Sequence, residues 1–223
     1  MVFPNTKIVI NKDKAIGQVL FIVEGGKTEP YILRRIFTHI FDYQYEEILR
    51  DKGYKKYNSK TNSYSQIFVI NAQESNIRFI AKDNEFLNNL FAELIENYDF
   101  DVDNAAIYYV FDRDNQSNTD RLFLEEMVSV LKNSRDNDDF NRQGMLLLSY
   151  PSVESFTVSN FLDYTIGIRF NTGKKVKTFL GQKKVNHQKI SAESLVHAVN
   201  ELRISLNEIG IESIDLDDFS IIN

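Results

Sequence analysis

The chain has 223 residues, enough for one ordinary domain with a sizeable core, and its 43% apolar and 26% charged residues exclude wholesale disorder and collagen-like or low-complexity chains. It contains no cysteine, which excludes a disulfide framework, a thiolate metal site and a cysteine nucleophile. A formal charge of −6, from 26 Lys and Arg against 32 Asp and Glu, excludes a surface coated in phosphate-binding charge, so any contact with nucleic acid has to be local or helped by bound cations.

Met1 to Lys14 carries lysines but no apolar core, so no signal peptide is expected there. No apolar run approaches the roughly 18–20 residues of a membrane span, and the expectation is a soluble, cytoplasmic protein with no membrane contact. The first strong element is Val19-Leu20-Phe21-Ile22-Val23, a continuous apolar run that suggests a strand covered on both faces. It ends in Glu24-Gly25-Gly26. Thr28 is then a plausible N-cap with Pro30 in the first turn, and Ile32, Leu33, Ile36, Phe37, Ile40 and Phe41 mark one face of a helix.

Tyr43 to Ser65 is polar and reads as a crossover insertion, partly loop. Ile67–Ile70 is a short strand, and Ile77 to Tyr98 follows with helical spacing. Ala105 to Phe111 is a third strand, ending in Asp112-Arg113-Asp114. Thr119 to Leu131 is helical, and Met145 to Leu148 is a fourth strand, ending at Tyr150-Pro151. Ser152 to Phe161 reads as a short helix. Phe170 to Lys189 is basic, with Lys174, Lys175, Lys177, Lys183, Lys184 and Lys189. Ala192 to Leu206 is a last helix before an acidic tail. Strands alternating with helices predict an α/β domain whose central sheet is mainly parallel, with flanking helices. The expected division is a catalytic unit over 15–165 and a helical, basic C-terminal extension over 166–223, packed on the same domain.

The chemistry-bearing residues are the acidic ones at strand ends. In a parallel sheet, ligands bind beyond the carboxyl ends of the strands. Glu24 ends the first strand, Asp112 and Asp114 follow the third, and Glu154 follows the fourth. Several carboxylates gathered there repel one another, and a shared divalent cation is the natural compensation. Hard Mg²⁺, or Mn²⁺, takes such oxygen ligands. The competing reading is that acidic residues after strands serve turns and N-caps. Asp114 could simply stabilise the turn from Asp112 to Gln116.

Gly26-Lys27-Thr28 after a strand also invites a phosphate-binding loop with Asp112 as its partner. That motif needs a glycine at position 21, where this chain has Phe21, and Pro30 lacks an amide donor at the helix start. His39, His187 and His197 carry no ligand spacing. The lysines from 174 to 189 are the best local candidate for phosphate contact, against the plainer reading of a solvated face or loop.

Phe21-Ile22-Val23-Glu24-Gly25, with Val110-Phe111-Asp112-Arg113-Asp114 further on, resembles the TOPRIM domain of topoisomerases, primases, OLD-type nucleases and small ribonucleases. Glu24-Gly25-Gly26-Lys27-Thr28-Glu29-Pro30 is similar to the E-G-E-K-T-E-P string of the RloB-like branch, and Pro151-Ser152-Val153-Glu154 to its P-x-x-E element. Gly181-Gln182-Lys183-Lys184 resembles a basic element of the same branch. Gly26 departs from the family's acidic residue, and Ser152-Val153 from its Cys-aromatic pair.

The resemblance implies a Rossmann-like TOPRIM fold and Mg²⁺-dependent cleavage of phosphodiester bonds in DNA or RNA, often in restriction or phage-defence systems. Glu24, Asp112 and Asp114 would be catalytic. With Glu154 they would also bind metal, and Glu24 would be a general base or a further ligand. Lys27, Lys174, Lys175, Lys183 and Lys184 would contact nucleic acid. The alternative is a metal-binding but non-catalytic subunit that acts through a partner protein of a defence complex. A cleavage assay on the isolated chain separates the two.

Overall fold

A computed structural model of the chain describes residues 16–48, 53–80, 84–113, 117–135, 143–149, 151–154 and 172–182. They form an α/β structure around a seven-stranded mixed sheet. In chain order the elements are β1 (Val19–Val23), α1 (Thr28–Arg35), β2 (Gln44–Glu47), β3 (Lys55–Asn58), β4 (Gln66–Asn71), α2 (Glu85–Tyr98), β5 (Ala106–Asp112), α3 (Arg121–Val130), β6 (Lys132–Asn133), β7 (Gly144–Ser149) and α4 (Gly173–Gln182).

The strand order is β2-β3-β4-β1-β5-β7-β6. The central four, β4-β1-β5-β7, run parallel, and the flanking pairs are antiparallel. The expectation of a mainly parallel sheet therefore holds for the centre. Tyr43 to Ser65, expected as a crossover insertion and partly loop, also contributes the strands β2 and β3. β2 is the edge strand and β3 lies beside it; both are polar and mostly not buried, so no apolar run announces them.

The alternation along the central strands divides the core in two. Leu20 and Ile22 of β1 face one side with Phe68, Ile70, Ile107, Tyr109 and Phe111, under Leu87, Leu90 and Leu94 of α2 and Leu124 and Met127 of α3. Val19 and Val23 face the other side with Ile67, Val69 and Tyr57, under Phe37. Both faces of β1 are thus covered, as its unbroken apolar run predicts.

The helices depart from expectation at their ends. Thr28 is not the cap of α1. Lys27 holds that position without a side-chain cap bond, because an ammonium has no acceptor to offer, and the Thr28 hydroxyl donates to Glu154 instead. After Arg35 the helix widens into a π-turn over Ile36–Ile40, closed by the Phe41 N–H on the Ile36 carbonyl. Phe37 is thereby packed against Phe21, Phe41, Tyr43 and Tyr57. The expected single helix from Ile77 to Tyr98 is a 3₁₀ turn, Ile77–Ile80, followed by α2. Asn84 starts α2 by accepting the Leu87 N–H. Asp120 caps α3 in the same way through Phe123.

Part of the expected basic extension is described. Gly173–Gln182 is a helix, with Val176 fully buried and Lys174 and Lys175 exposed. The expected boundary at 165, most of the proposed helix from Ser152 and the helix from Ala192 lie outside the described residues. Among the described residues, no helix is long and apolar enough to cross a membrane.

Candidate metal centre

The chain leaves β1 on one side for β4 and returns on the other side as β5. At such a reversal the connections diverge, and a crevice opens beyond the carboxyl ends of the strands. Glu24 stands at that point. Its N–H donates to the Val110 carbonyl at 3.0 Å, continuing the ladder between β1 and β5. Its Oε2 accepts the backbone N–H of Asp112 at 2.8 Å. The side chain therefore bridges the ends of the two strands.

Asp112 closes β5 and is buried. Its register partner in β7 is Ser149, whose hydroxyl donates to Asp112 Oδ1. The N–H of Val153 donates to the same oxygen at 2.8 Å. Asp112 so fixes the turn that carries Glu154. Glu154 is only 5% exposed, and its Oε1 accepts the Thr28 hydroxyl at 2.8 Å. The ammonium of Lys177, from α4, lies 3.5 Å from that oxygen. Glu154 Oε2 is buried with no hydrogen-bond partner.

Glu29, one residue past Thr28, is buried as well and folds back over Gly25. A Cβ at Gly25 would stand 2.6 Å from Glu29 Oε2, so a larger residue there would displace the Glu29 carboxylate. An acidic side chain at this helix start adds negative charge where an anion-binding loop would need positive.

The charges act on one another. Burial pushes the Asp112 carboxyl up to about 8. The Ser149 hydrogen bond opposes that, and Glu24, Glu29 and Glu154 add to it. Burial also raises Glu29, against the backbone N–H groups of Glu29 and Gly25; Glu154 raises it further and Lys177 lowers it. For Lys177, burial pulls the ammonium down, but the charges of Glu154, Asp112 and Glu29 outweigh it and leave the group raised.

Of the four expected ligands, Glu24, Asp112 and Glu154 are linked through the Asp112 and Val153 amides, and Asp114 lies outside the described residues. Among the described residues, no three His, Asp or Glu side chains are arranged to hold a metal ion. One oxygen each of Glu24, Asp112 and Glu154 is held by a protein donor, and Glu154 Oε2 is left without one. Lys183 and Lys184 also lie outside the described residues. Lys27 is exposed at the start of α1. Lys174 and Lys175 are exposed on α4, the helix that delivers Lys177 to Glu154.

Four participants were not legible as such. Glu29 stands in the motif, but its spacing points along the helix rather than at a site. Ser149 looks like any strand-end serine, and Lys177 is one lysine among many. Thr28 reads as a cap because its partner is 126 positions away. No family model, curated protein or solved structure matches the chain.

Proposed function

We propose that the protein is a TOPRIM-type hydrolase of phosphodiester bonds in nucleic acid, dependent on Mg²⁺ or Mn²⁺. The observation that supports this reading best is the bridge from Glu24 to the Asp112 amide at the reversal of the sheet, with Glu154 fixed beside it. The donor set is all oxygen, which suits a hard cation. The buried, unpartnered Oε2 of Glu154 is the kind of atom a cation would satisfy. Glu24, Asp112, Asp114 and Glu154 would hold the ion. When bound, the cation would supply charge stabilisation at the scissile phosphate and an acidified water.

The chain's own residues do the rest. Ser149 and the Val153 N–H orient Asp112, and Thr28 orients Glu154. Glu24, half-buried at the end of β1, would be a further ligand or accept the proton of the attacking water at its carboxylate. Lys27, Lys174 and Lys175, with Lys183 and Lys184, would hold the nucleic-acid backbone as point charges. A basic C-terminal extension around α4 would then be part of the substrate track.

One observation favours a second reading. Asp112 Oδ1 already accepts two internal hydrogen bonds, which is what a purely structural aspartate does. On that reading Asp112 orients the edge without taking part in cleavage, and the chain is a metal-binding, non-catalytic subunit that binds nucleic acid or acts through a partner protein of a defence complex. Incubation with plasmid, single-stranded DNA and RNA, in Mg²⁺, Mn²⁺ and EDTA, separates the two. Metal-dependent cleavage lost in Asp112→Asn is expected. Inactivity on every substrate in both metals would transfer the argument to the binding subunit.

A further inference from the structure

α4 is anchored against the site by its own sequence. Val176 is fully buried, and an added Cβ at Gly173 would stand 3.2 Å from the Ser152 side chain. From this anchored turn Lys177 extends a largely exposed stem and sets its ammonium 3.5 Å from Glu154. Glu154 shares Oε1 between Lys177 and Thr28, and keeps Oε2 buried without a partner. A buried carboxylate that lacks part of its hydrogen bonding is costly unless a positive charge compensates. Lys177 provides one, and its charge also acts on Asp112 and Glu29.

We propose that Lys177 is a positioning residue of the carboxylate site, the resident counter-charge of Glu154, and that it competes with a divalent cation for that carboxylate. This inference rests on the cation-site reading above. Two cations within a few ångströms repel each other strongly where water is scarce. Metal loading therefore weakens the pair between Lys177 and Glu154 and loosens α4 from the crevice. Conversely, the pair holds the metal-free site together and sets a threshold for metal entry.

The test is Mn²⁺ titration followed by electron paramagnetic resonance, on the full chain and on Lys177→Met, Lys177→Gln and Lys177→Arg. Methionine keeps the stem and removes the charge; glutamine covers the case in which the methionine variant does not fold. Both should bind Mn²⁺ roughly fivefold more tightly than wild type, the scale of a half-exposed ion pair. Arginine should restore the wild-type affinity. In EDTA, thermal melts of Lys177→Met, Glu154→Gln and the double variant should be non-additive. Affinity equal to or weaker than wild type in both neutral variants, while wild type binds Mn²⁺, would overturn the competition alone. A wild type that binds no Mn²⁺ at millimolar concentration would overturn the competition and the cation site together.

Discussion

Burial pushes the Asp112 carboxyl up to about 8, helped by Glu24, Glu29 and Glu154 and opposed by Ser149. The unfolded chain releases the same proton near 3.8. Between those values the unfolded state binds fewer protons than the folded one. Stability from this group is therefore fully present below about pH 4 and is lost as pH rises through 8, at about 1.4 kcal/mol per pH unit. Asp112→Asn removes the titration but not the shape, and its amide oxygen still accepts from Ser149 and Val153. Urea melts in EDTA at pH 5, 6 and 7 should therefore fall steeply for wild type and much less for the variant. Equal slopes would mean that Asp112 is not held in the neutral form. Mg²⁺ should flatten the wild-type slope, because a bound cation replaces the proton.

A second residue carries a comparable structural load. The Asn118 amide donates to the carbonyls of Asp112 and Ser75, at 2.7 and 2.9 Å, and its Oδ1 accepts the Ile77 N–H. It ties the loop after β5 to the loop after β4, at the edge that carries the site. Asn118→Ala strands these backbone groups and should cost about 1–3 kcal/mol in chemical denaturation. A change below about 0.5 kcal/mol would show that water replaces the side chain freely.

Among the elements, β7 depends on one glycine. Gly144 has φ +138°, and a Cβ there would meet the Tyr109 ring at 2.3 Å. Gly144→Ala should lower the melting temperature by well over about 5 °C, since both the backbone and the packed ring oppose it. A shift under about 2 °C would show that Tyr109 moves aside at little cost. The elements also differ in how well the sequence announces them. β1, β4, β5 and β7 are buried between layers, so their apolar runs end visibly at Glu24, Asp112 and, past the turn, Glu154. β2, at the edge, and β3 beside it are polar and leave no such trace. α4 lies in the expected basic extension, but its bounds leave little trace, because Val176 is its one fully buried side chain among several lysines, counting the described residues. The bonds that finish the site, from Thr28 to Glu154 and from Ser149 to Asp112, join residues 126 and 37 positions apart. Local spacing carries no trace of them, whereas the carboxylates they hold were legible from the strand ends.

For the whole molecule, the −6 charge opposes a nucleic-acid partner everywhere except where lysines gather. α4 places Lys174 and Lys175 on the exposed side of the helix that reaches Glu154. Reversing both charges should weaken nucleic-acid binding and reduce the slope of log affinity against log salt by roughly 0.7–0.9 for each phosphate no longer neutralised. An unchanged slope would make this face a solvated one. The claim on which the account turns is that the reversal of the sheet is a divalent-cation site. A crystal soaked in Mn²⁺ tests it directly through anomalous scattering. The account predicts a peak beyond β1 and β5, with oxygens of Glu24, Asp112 and Glu154 in its coordination sphere at about 2.0–2.2 Å. A soaked crystal with no peak there, and with the Glu24–Asp112 and Thr28–Glu154 hydrogen bonds unchanged, would contradict it.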